Sequence, residues 1–351
     1  MFNKNLKYYR LKKNMTKRAL ADACGVTPMA ITNYESGNRR PDMTIIKKMA
    51  EALDVHVVDF ISSRNENLQF IHGEFRKKNA LSKGEQEYIR EYVEEYFSRF
   101  FTTVGFFGGS PLPTVPKCGH LLISNDYEAD AASLRDFLEL PKTGPVEDLI
   151  SLLENKGFLV LLVDLDNDAF SGMNGYVNNY PYIAIRSDMN VMRKRTTIVH
   201  ELAHLMFDWS TFNSDEEKYA TQIAGAFLIT KSDLIRELGQ RRTRMTRDMT
   251  LVCKEYGIST YLLATRASQA GILSESAAKD FFIKANKVHW RTDEPEWDIK
   301  KEEANLFEQL VLRAVNEEGL GVQRAAELLK VPSSEVEKNC VAMSEVEPWS
   351  L

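Results

Sequence analysis

The sequence predicts a mainly α-helical fold with one small β-sheet, of the α+β class. Three observations support this prediction. Apolar residues recur at helical spacing through most of the 351 residues. Short apolar runs with β-branched residues, separated by turn residues, lie within residues 158–185. The apolar segment 195–206 follows them with two histidines four residues apart, a spacing that a helix places on one face.

The length of the chain allows two or three domains. The composition of the chain divides it into four segments. The first two are a small helical domain (1–62) and a helical connector with a linker (63–120). A mixed domain with the sheet (121–235) and a helical region with helix-turn-helix-like elements (236–351) follow. In the last segment, residues 251–273 and 310–338 each have the pattern of a helix, a glycine turn and a second helix. Neither shows a basic face, so packing or partner contacts are their predicted role.

The bulk composition is that of a soluble globular protein. The net charge of −5 hides an asymmetry, because residues 1–62 hold eleven Lys and Arg against six Asp and Glu, which gives +5 there and −10 elsewhere. Only the first segment is therefore expected to meet nucleic acid. Four scattered cysteines, no visible signal peptide and no long apolar run indicate a cytoplasmic protein with reduced thiols and no membrane partner.

Capping residues divide the first segment into five short helices. Thr16 begins one helix and Gly25 ends it. Thr27 begins the next helix, with Pro28 at its first position, where the missing N–H costs nothing. A helix, a short glycine turn and a second helix form the helix-turn-helix unit, which predicts a DNA-binding domain.

The run MTKRALADACGVTPMAITNYESGNRRPDMTIIKKMAEALDV, residues 15–55, resembles the XRE family of Cro- and repressor-like domains. The resemblance implies that the start of the second helix enters the major groove of an operator in double-stranded DNA. A homodimer is expected, since such domains usually read two half-sites. The predicted base contacts are Thr27, Pro28, Met29, Thr32 and Asn33, and the predicted phosphate contacts are Lys13, Lys17, Arg39 and Arg40.

A helix is predicted in the connector, over residues 84–101. Its aromatic residues stand at helical spacing, which favours a packing or dimerisation helix with the rings in a core. The glycine- and proline-rich residues 108–113 are predicted to be a linker.

Three strands are predicted before the helix that carries the histidines. Residues 145–156 form a helix, and residues 158–163 form the first strand. Strands over residues 172–177 and 182–185 are joined by a turn over residues 178–181. The last of these is expected to be an edge strand, which could hold an extended peptide by main-chain hydrogen bonds.

Residues 195–206, RTTIVHELAHLM, contain an H-E-x-x-H pattern at His200, Glu201 and His204. Two histidines one helical turn apart can bind one metal ion, and a glutamate about 100° round the helix can reach a metal-bound water. The set is typical of a zinc hydrolase in which Glu201 is the general base. The pattern also arises by chance, but buried histidines beside a buried glutamate are costly unless a metal or partners satisfy them.

A third metal ligand is expected from the helix that follows. Glu216 and Glu217 both stand at its start, where acidic residues are favoured in any helix. The E-x-x-A pattern from Glu217 to Ala220 resembles the ligand helix of gluzincin peptidases. This favours Glu217, with Glu216 as the alternative, and the small Ala220 would let the two helices approach closely.

The middle of the chain resembles the ImmA/IrrE metallopeptidases. The matching runs are PVEDLISLLENKGFLV (145–160), RKRTTIVHELAHL (193–205) and EKYATQIAGAFLI (217–229). The resemblance implies a zincin-like, zinc-dependent endopeptidase that acts on a partner repressor, itself a helix-turn-helix protein. Thr221 stands where the family usually has Asn, so a hydrogen bond behind a ligand is expected to differ.

Other functions stay open from the sequence. A DNA-bound regulator could use the peptidase fold only as a sensor or partner platform, although a structural site would not need Glu201 as a base. The chain could also be a toxin–antitoxin component. A small-molecule zinc hydrolase is the more distant alternative.

Overall fold

The computed structural model describes residues 1–62, 64–65, 67–73, 81–165, 169–291, 294–295 and 298–340. The chain groups into two compact units. Unit 1 comprises residues 1–69, 78–111 and 307–351, and unit 2 comprises residues 70–77 and 112–306.

The described helices are α1 (Phe2–Lys12), α2 (Lys17–Cys24), α3 (Pro28–Glu35), α4 (Met43–Leu53), α5 (Val57–Ile61), α6 (Lys83–Val104), α7 (Tyr127–Phe137), α8 (Leu149–Asn155), α9 (Val191–Met206), α10 (Glu216–Leu228), α11 (Lys231–Leu238), α12 (Met249–Tyr256), α13 (Thr260–Gln269), α14 (Glu275–Lys287), α15 (Leu306–Glu317), α16 (Val322–Leu329) and α17 (Ser333–Asn339). The described strands are β1 (Phe70–His72), β2 (Leu121–Leu122), β3 (Leu159–Val163), β4 (Gly172–Val177), β5 (Tyr180–Arg186) and β6 (Phe207–Asp208). This is the mainly α-helical fold with a small sheet that the sequence predicts.

In unit 1, helices α1 to α5 enclose a small apolar core. Its fully buried members include Leu6, Leu20, Ile31, Met49 and Phe60. The hydroxyl groups of Thr16 and Thr27 each accept a hydrogen bond from the backbone N–H three residues on, at 3.0 and 3.2 Å. Gly25 ends α2 with a φ of 70°, a conformation that suits glycine. The five predicted helices and their predicted caps are therefore confirmed.

Unit 1 also contains the long helix α6, whose rings Phe97 and Phe100 are buried. Tyr96 and Phe100 pack against Phe307 of α15, with ring centroids 5.2 and 5.6 Å apart. This aromatic contact explains why the end of the chain belongs to unit 1. The grouping separates residues 307–340 from residues 236–306, which composition had placed in one segment.

Unit 2 contains a four-stranded sheet with the strand order β1-β4-β5-β3. The pairs β1–β4 and β4–β5 are antiparallel, and β3 and β5 are parallel. Helix α9 contacts β4 and β5. Its residues Ile198 and Val199 join Val160 and Ile183 of the sheet in the core of this unit. The sheet therefore supports the helix that carries the two histidines.

Residues 182–185 do not form an edge strand, so that expectation was wrong. Strand β5 lies between β4 and β3, and residues 182–185 are 0 % exposed. A strand that is covered on both faces has a continuous apolar run, which is what these residues show. Strand β1 lies at one edge instead, within the segment 63–120 that was expected to be a helical connector. Three residues are too few to show an alternating pattern.

The turn between β4 and β5 is tighter than residues 178–181. Asn178 and Asn179 both have positive φ, 48° and 70°, and they alone connect the strands, because Tyr180 already pairs with Val177. A two-residue turn with both φ values positive is the type I′ turn, whose twist matches that of a hairpin.

Helix α8 begins later than the predicted residue 145. The carboxylate of Glu302 accepts hydrogen bonds from the N–H groups of Leu149 and Ile150, at 3.2 and 3.0 Å. A carboxylate at a helix N-terminus satisfies donors that have no partner within the helix. Asp148 also caps this helix locally, by accepting a hydrogen bond from the N–H of Ser151 at 3.4 Å. The start of α8 is therefore set by a local cap together with a carboxylate from far along the chain.

Helix α7 was not predicted, and it packs against α10. Arg135 of α7 is 0 % exposed and donates to the carbonyl oxygen of Phe227 at 2.6 Å. In the other direction, Tyr219 of α10 donates to Asp130 of α7 at 2.6 Å. These bonds hold α10, which carries Glu217, in place. Over the part of the chain described, no helix has the length and apolar character needed to cross a membrane.

Candidate metal centre

Helices α9 and α10 bring together three side chains that could bind a metal ion, His200, His204 and Glu217. These three residues are called the metal-binding group below. His200 and His204 lie one turn apart on α9, with their Nε2 atoms 3.2 Å apart. Glu217, in the first turn of α10, places its carboxylate oxygens 3.5 Å from His200 Nε2 and 3.4 Å from His204 Nε2. The donor atoms of these three residues lie within 4.8 Å of one another. Glu216, the alternative ligand, is exposed and lies outside this group.

Small residues of α10 allow this close approach. Ala220 and Ala224 are 0 % exposed where α10 packs against α9. Asp215 caps α10 by accepting a hydrogen bond from the N–H of Lys218 at 3.1 Å. The cap and the small contact residues together fix Glu217 opposite the two histidines.

Thr221 lies behind His200 and suits one tautomer of its ring. The Thr221 hydroxyl donates its single proton to the carbonyl oxygen of Glu217, at 2.8 Å. The same hydroxyl lies 3.1 Å from His200 Nδ1. With its proton on the Glu217 carbonyl oxygen, the hydroxyl accepts from a protonated Nδ1. Nε2 of His200 therefore presents its lone pair towards His204 and Glu217. This is the orientation that a metal-binding histidine needs.

Glu201 lies beside this group and is held by a residue of the sheet. Its Oε2 accepts a hydrogen bond from Asn174 Nδ2 of β4, at 2.8 Å. Glu201 is only 4 % exposed. Asn174 was not singled out from the sequence, although a polar residue within the apolar run of β4 is a signal of such a role.

Burial decreases from one side of the group to the other. The exposed fraction of the side chain is 3 % for His200, 17 % for His204 and 43 % for Glu217. The ring of Trp209 packs near His204, with centroids 5.2 Å apart. The group is therefore closed on the side of α9 and open to solvent on the side of Glu217.

Arg195 and Tyr182, which precede the two histidines in sequence, have partners elsewhere in unit 2. The Arg195 guanidinium forms a buried ion pair with Glu302 and donates to the carbonyl oxygen of Val146. The Tyr182 hydroxyl lies 2.6 Å from Nδ1 of His72 in β1. Both contacts join parts of unit 2 to one another.

The predicted DNA-contacting residues lie directly after α1 (Lys13), on α2 (Lys17), at the start of and along α3, and in the loop after α3. Met29 is 66 % exposed at the start of α3, and Thr32 and Asn33 follow it, half-buried, in the same helix. The Thr27 oxygen caps α3, so its role in the fold is established. The exposed residues are Lys13, Lys17, Thr27, Pro28, Met29, Arg39 and Arg40. Lys17 Nζ lies 3.6 Å from Glu35, and the Arg39 guanidinium lies 6.0 Å from the centre of the Tyr34 ring.

The geometry defines two classes of domain in one chain, a five-helix helix-turn-helix domain and an α+β domain with a possible metal centre. Comparison with known families agrees. Residues 6–60 match the helix-turn-helix family model, and residues 155–268 match the model of the IrrE N-terminal-like domain, a peptidase family. The chain therefore joins an XRE-type helix-turn-helix domain to an ImmA/IrrE-like metallopeptidase-family domain.

A curated protein also resembles part of the chain. The uncharacterized HTH-type transcriptional regulator YqaE of Bacillus subtilis is 35 % identical over 77 residues, which are 22 % of this chain and 66 % of that protein. The match thus spans just under two thirds of the relative. No solved structure matches the chain significantly.

Proposed function

We propose that this chain is a DNA-binding transcriptional regulator and a zinc-dependent endopeptidase that cleaves a partner repressor. The observation that carries the proposal is the convergence of His200, His204 and Glu217 next to the buried carboxylate of Glu201. A site that only stabilised the fold would not need a fourth, non-ligating acid. The match to a peptidase family over this segment supports the same conclusion.

The donor set suits zinc. Two imidazole nitrogens and one carboxylate are a known set of protein ligands for catalytic zinc, which keeps a further position for water. The hydrogen bond from His200 Nδ1 to Thr221 directs the Nε2 lone pair into the group, as ligation requires. Zinc bound there would lower the pKa of its water to about 7 and polarise a substrate carbonyl.

Glu201 is the proposed general base. Its carboxylate takes the proton of the attacking water and passes it to the leaving amine. The hydrogen bond from Asn174 fixes the orientation of this carboxylate against the sheet. Because the residue is buried, its charge acts in a medium that screens it less than water does.

The helix-turn-helix domain is the proposed DNA-binding part. Its support is the family match over residues 6–60, the surplus of positive charge in residues 1–62 and the exposure of Met29, Arg39 and Arg40. The relative YqaE is described as a transcriptional regulator. A partner repressor is the proposed substrate, since a peptidase placed on an operator would act on proteins bound beside it.

The test is a capture experiment with a Glu201→Gln variant. We expect the variant to retain a repressor-like protein, which the unsubstituted chain with zinc then cleaves. The captured protein is incubated with each chain, and the products are identified by mass spectrometry. Capture without cleavage by the unsubstituted chain would contradict the peptidase role and favour a partner platform.

A further inference from the structure

Residues 70–73 of this chain cover the edge of β4 beside the metal-binding group. In β1, Phe70 pairs with Val177, Ile71 with Tyr176 and His72 with Gly175. The Gly73 N–H continues the ladder by donating to the carbonyl oxygen of Asn174 at 2.8 Å. The side chain of Asn174 is the one that binds Glu201. The covered edge therefore ends one side chain away from the proposed catalytic base.

The bonding of β1 is that of an added strand. Bonded and non-bonded residue pairs alternate along an antiparallel ladder. Since Gly73 bonds to Asn174, Ile71 is the other residue of this segment whose N–H faces β4. Extended peptides bind to sheet edges through the same main-chain bonds. Residues 70–73 therefore lie as a bound peptide segment would lie.

Strand β4 has a glycine where the covering strand comes closest. A Cβ atom on Gly175 would lie 2.4 Å from the carbonyl oxygen of Ile71 and 2.6 Å from the Tyr182 hydroxyl. Both distances are too short for any larger residue. The edge is therefore shaped to accept a strand at this position.

The middle side chain of β1 is mostly exposed. Ile71 is 69 % exposed. His72 Nδ1 lies 2.6 Å from the Tyr182 hydroxyl, and the Phe70 ring stacks on the His72 ring with centroids 5.5 Å apart. Main-chain bonds over three or four residues stabilise a strand weakly. A peptide with more contacts could displace it.

We propose that residues 70–73 occupy, within the chain itself, the position that an extended peptide substrate takes on β4, so that substrate binding displaces β1. This inference rests on the proposed peptidase function. The fitting partner is an extended protein segment with an aromatic or apolar residue at alternate positions, as in Phe70 and His72. A folded protein surface without an exposed strand edge cannot make these main-chain bonds.

The test measures binding of the blocked peptide NLQFIHG, the sequence of residues 67–73, to chains that carry Glu201→Gln so that no turnover occurs. Ile71→Pro removes the N–H that faces β4, whereas Ile71→Thr keeps it and also loses apolar surface. An attached strand competes at a high effective concentration, so we expect the Ile71→Pro chain to bind the peptide about tenfold more tightly or better. Fluorescence anisotropy of the labelled peptide gives both affinities.

Equal affinity of the two chains, including no binding to either, would overturn the proposal. The same peptide with proline at the place of Ile71 is the control for specific binding. A second measurement needs no substitution in β1. Excess peptide should speed amide hydrogen exchange at Ile71 and Gly73 while Tyr176 stays protected, and unchanged exchange at all three would contradict displacement.

The two proposals fail in different ways. Zinc-dependent cleavage of the captured protein tests the peptidase function. Peptide binding to the Glu201→Gln chains tests the strand position and needs no catalysis. Binding without cleavage would count against the peptidase function alone, and cleavage with equal peptide affinities would count against the role of β1 alone.

Discussion

Thr221 is the residue that couples the two helices of the metal-binding group. Its hydroxyl lies between His200 Nδ1 and the backbone of Glu217, so it fixes one ligand and the turn that carries another. The sequence shows only that threonine stands where related proteins usually have asparagine. The structure shows that threonine still serves as the hydrogen-bond partner of the histidine.

Thr221→Val removes this hydroxyl while nearly preserving the shape of the side chain. We expect zinc affinity to fall about 10- to 100-fold, because His200 loses the partner that holds its tautomer and ring orientation. Thr221→Ser keeps the hydroxyl and serves as the matched control. Competition with a zinc-binding dye measures both affinities, and a Val variant that binds zinc as tightly as the Ser variant would contradict this role.

Glu154 of α8 is a buried carboxyl outside the metal-binding group. Burial raises its pKa to about 8 from the ordinary 4.5. Between these values the folded state keeps a proton that the unfolded state releases. The stabilisation is therefore fully present below pH 4.5 and is lost as the pH rises through 8.

Glu154→Gln is expected to reduce this loss of stability with rising pH, since glutamine does not titrate. Urea unfolding at pH 5.5 and pH 8.5 measures the free energy of unfolding in each chain. The exposed Glu147→Gln is the control and should behave as the unsubstituted chain. The same pH dependence in all three chains would contradict the raised pKa.

His200, Glu201 and His204 could be predicted from the sequence because their spacing on one helix is local. Glu217 could be favoured over Glu216 only through a resemblance. Asn174 could not be assigned, because its contact with Glu201 depends on how β4 lies against α9. Local spacing therefore predicts the motif, and tertiary packing supplies the residues that orient it.

At the scale of elements, the segment around Glu302 ties two helices of unit 2 together. Its buried carboxylate caps α8 and forms an ion pair with Arg195 of α9. Glu302 is 3 % exposed and Arg195 is 4 % exposed. The helix that carries His200 and His204 thus depends on a residue about a hundred positions later.

Glu302→Ala is expected to lower the free energy of unfolding of unit 2 by about 3–5 kcal/mol, because it leaves the charge of Arg195 buried without its partner. The exposed neighbour Glu303→Ala is the control. Urea unfolding followed by circular dichroism measures both. A loss no greater than that of the control would contradict the structural role of this ion pair.

Helices with caps and apolar stripes were predicted more accurately than strands. Thr16 and Thr27 mark helix starts by local chemistry, and the structure confirms both. Residues 182–185 were correctly predicted as strand but given the wrong place in the sheet, because strand order is not written in a local pattern. The start of α8 was predicted too early: the local residue Asp148 caps this helix, and Glu302 supports the same start from far along the chain.

At the scale of the whole molecule, one chain joins two kinds of domain, and its charge is unevenly distributed along the sequence. The surplus of positive charge lies in residues 1–62, and the remaining chain is acidic. Both motifs are strong enough to be found in the sequence. The sequence did not predict that residues 307–340 belong to unit 1. That grouping depends on tertiary contacts such as that of Phe307 with the rings of α6.

DNA binding should depend on the two kinds of predicted contact in different ways. Arg40→Ala is expected to weaken binding to all DNA sequences. It should also reduce the slope of the logarithm of the binding constant against the logarithm of the salt concentration by about one. Asn33→Ala is expected to cost about 1–3 kcal/mol at one base pair and to leave the slope unchanged. Titration of an operator selected from random DNA, at several salt concentrations, measures both.

The exposed Lys279→Ala, in unit 2, is the control for a general loss of charge. It should bind DNA as the unsubstituted chain does. If the Lys279 and Arg40 variants reduced the slope of DNA binding against salt concentration equally, the phosphate contacts would not be confined to the helix-turn-helix domain.

The central claim is that Glu201 acts as a base beside zinc held by His200, His204 and Glu217. The most direct measurement compares the unsubstituted chain with Glu201→Gln, each stripped of metal and reloaded with zinc, for zinc content and for cleavage of the captured protein. We expect equal zinc content, zinc-dependent cleavage by the unsubstituted chain and none by the variant. Cleavage at an undiminished rate by the variant, or by the stripped chain, would contradict the account.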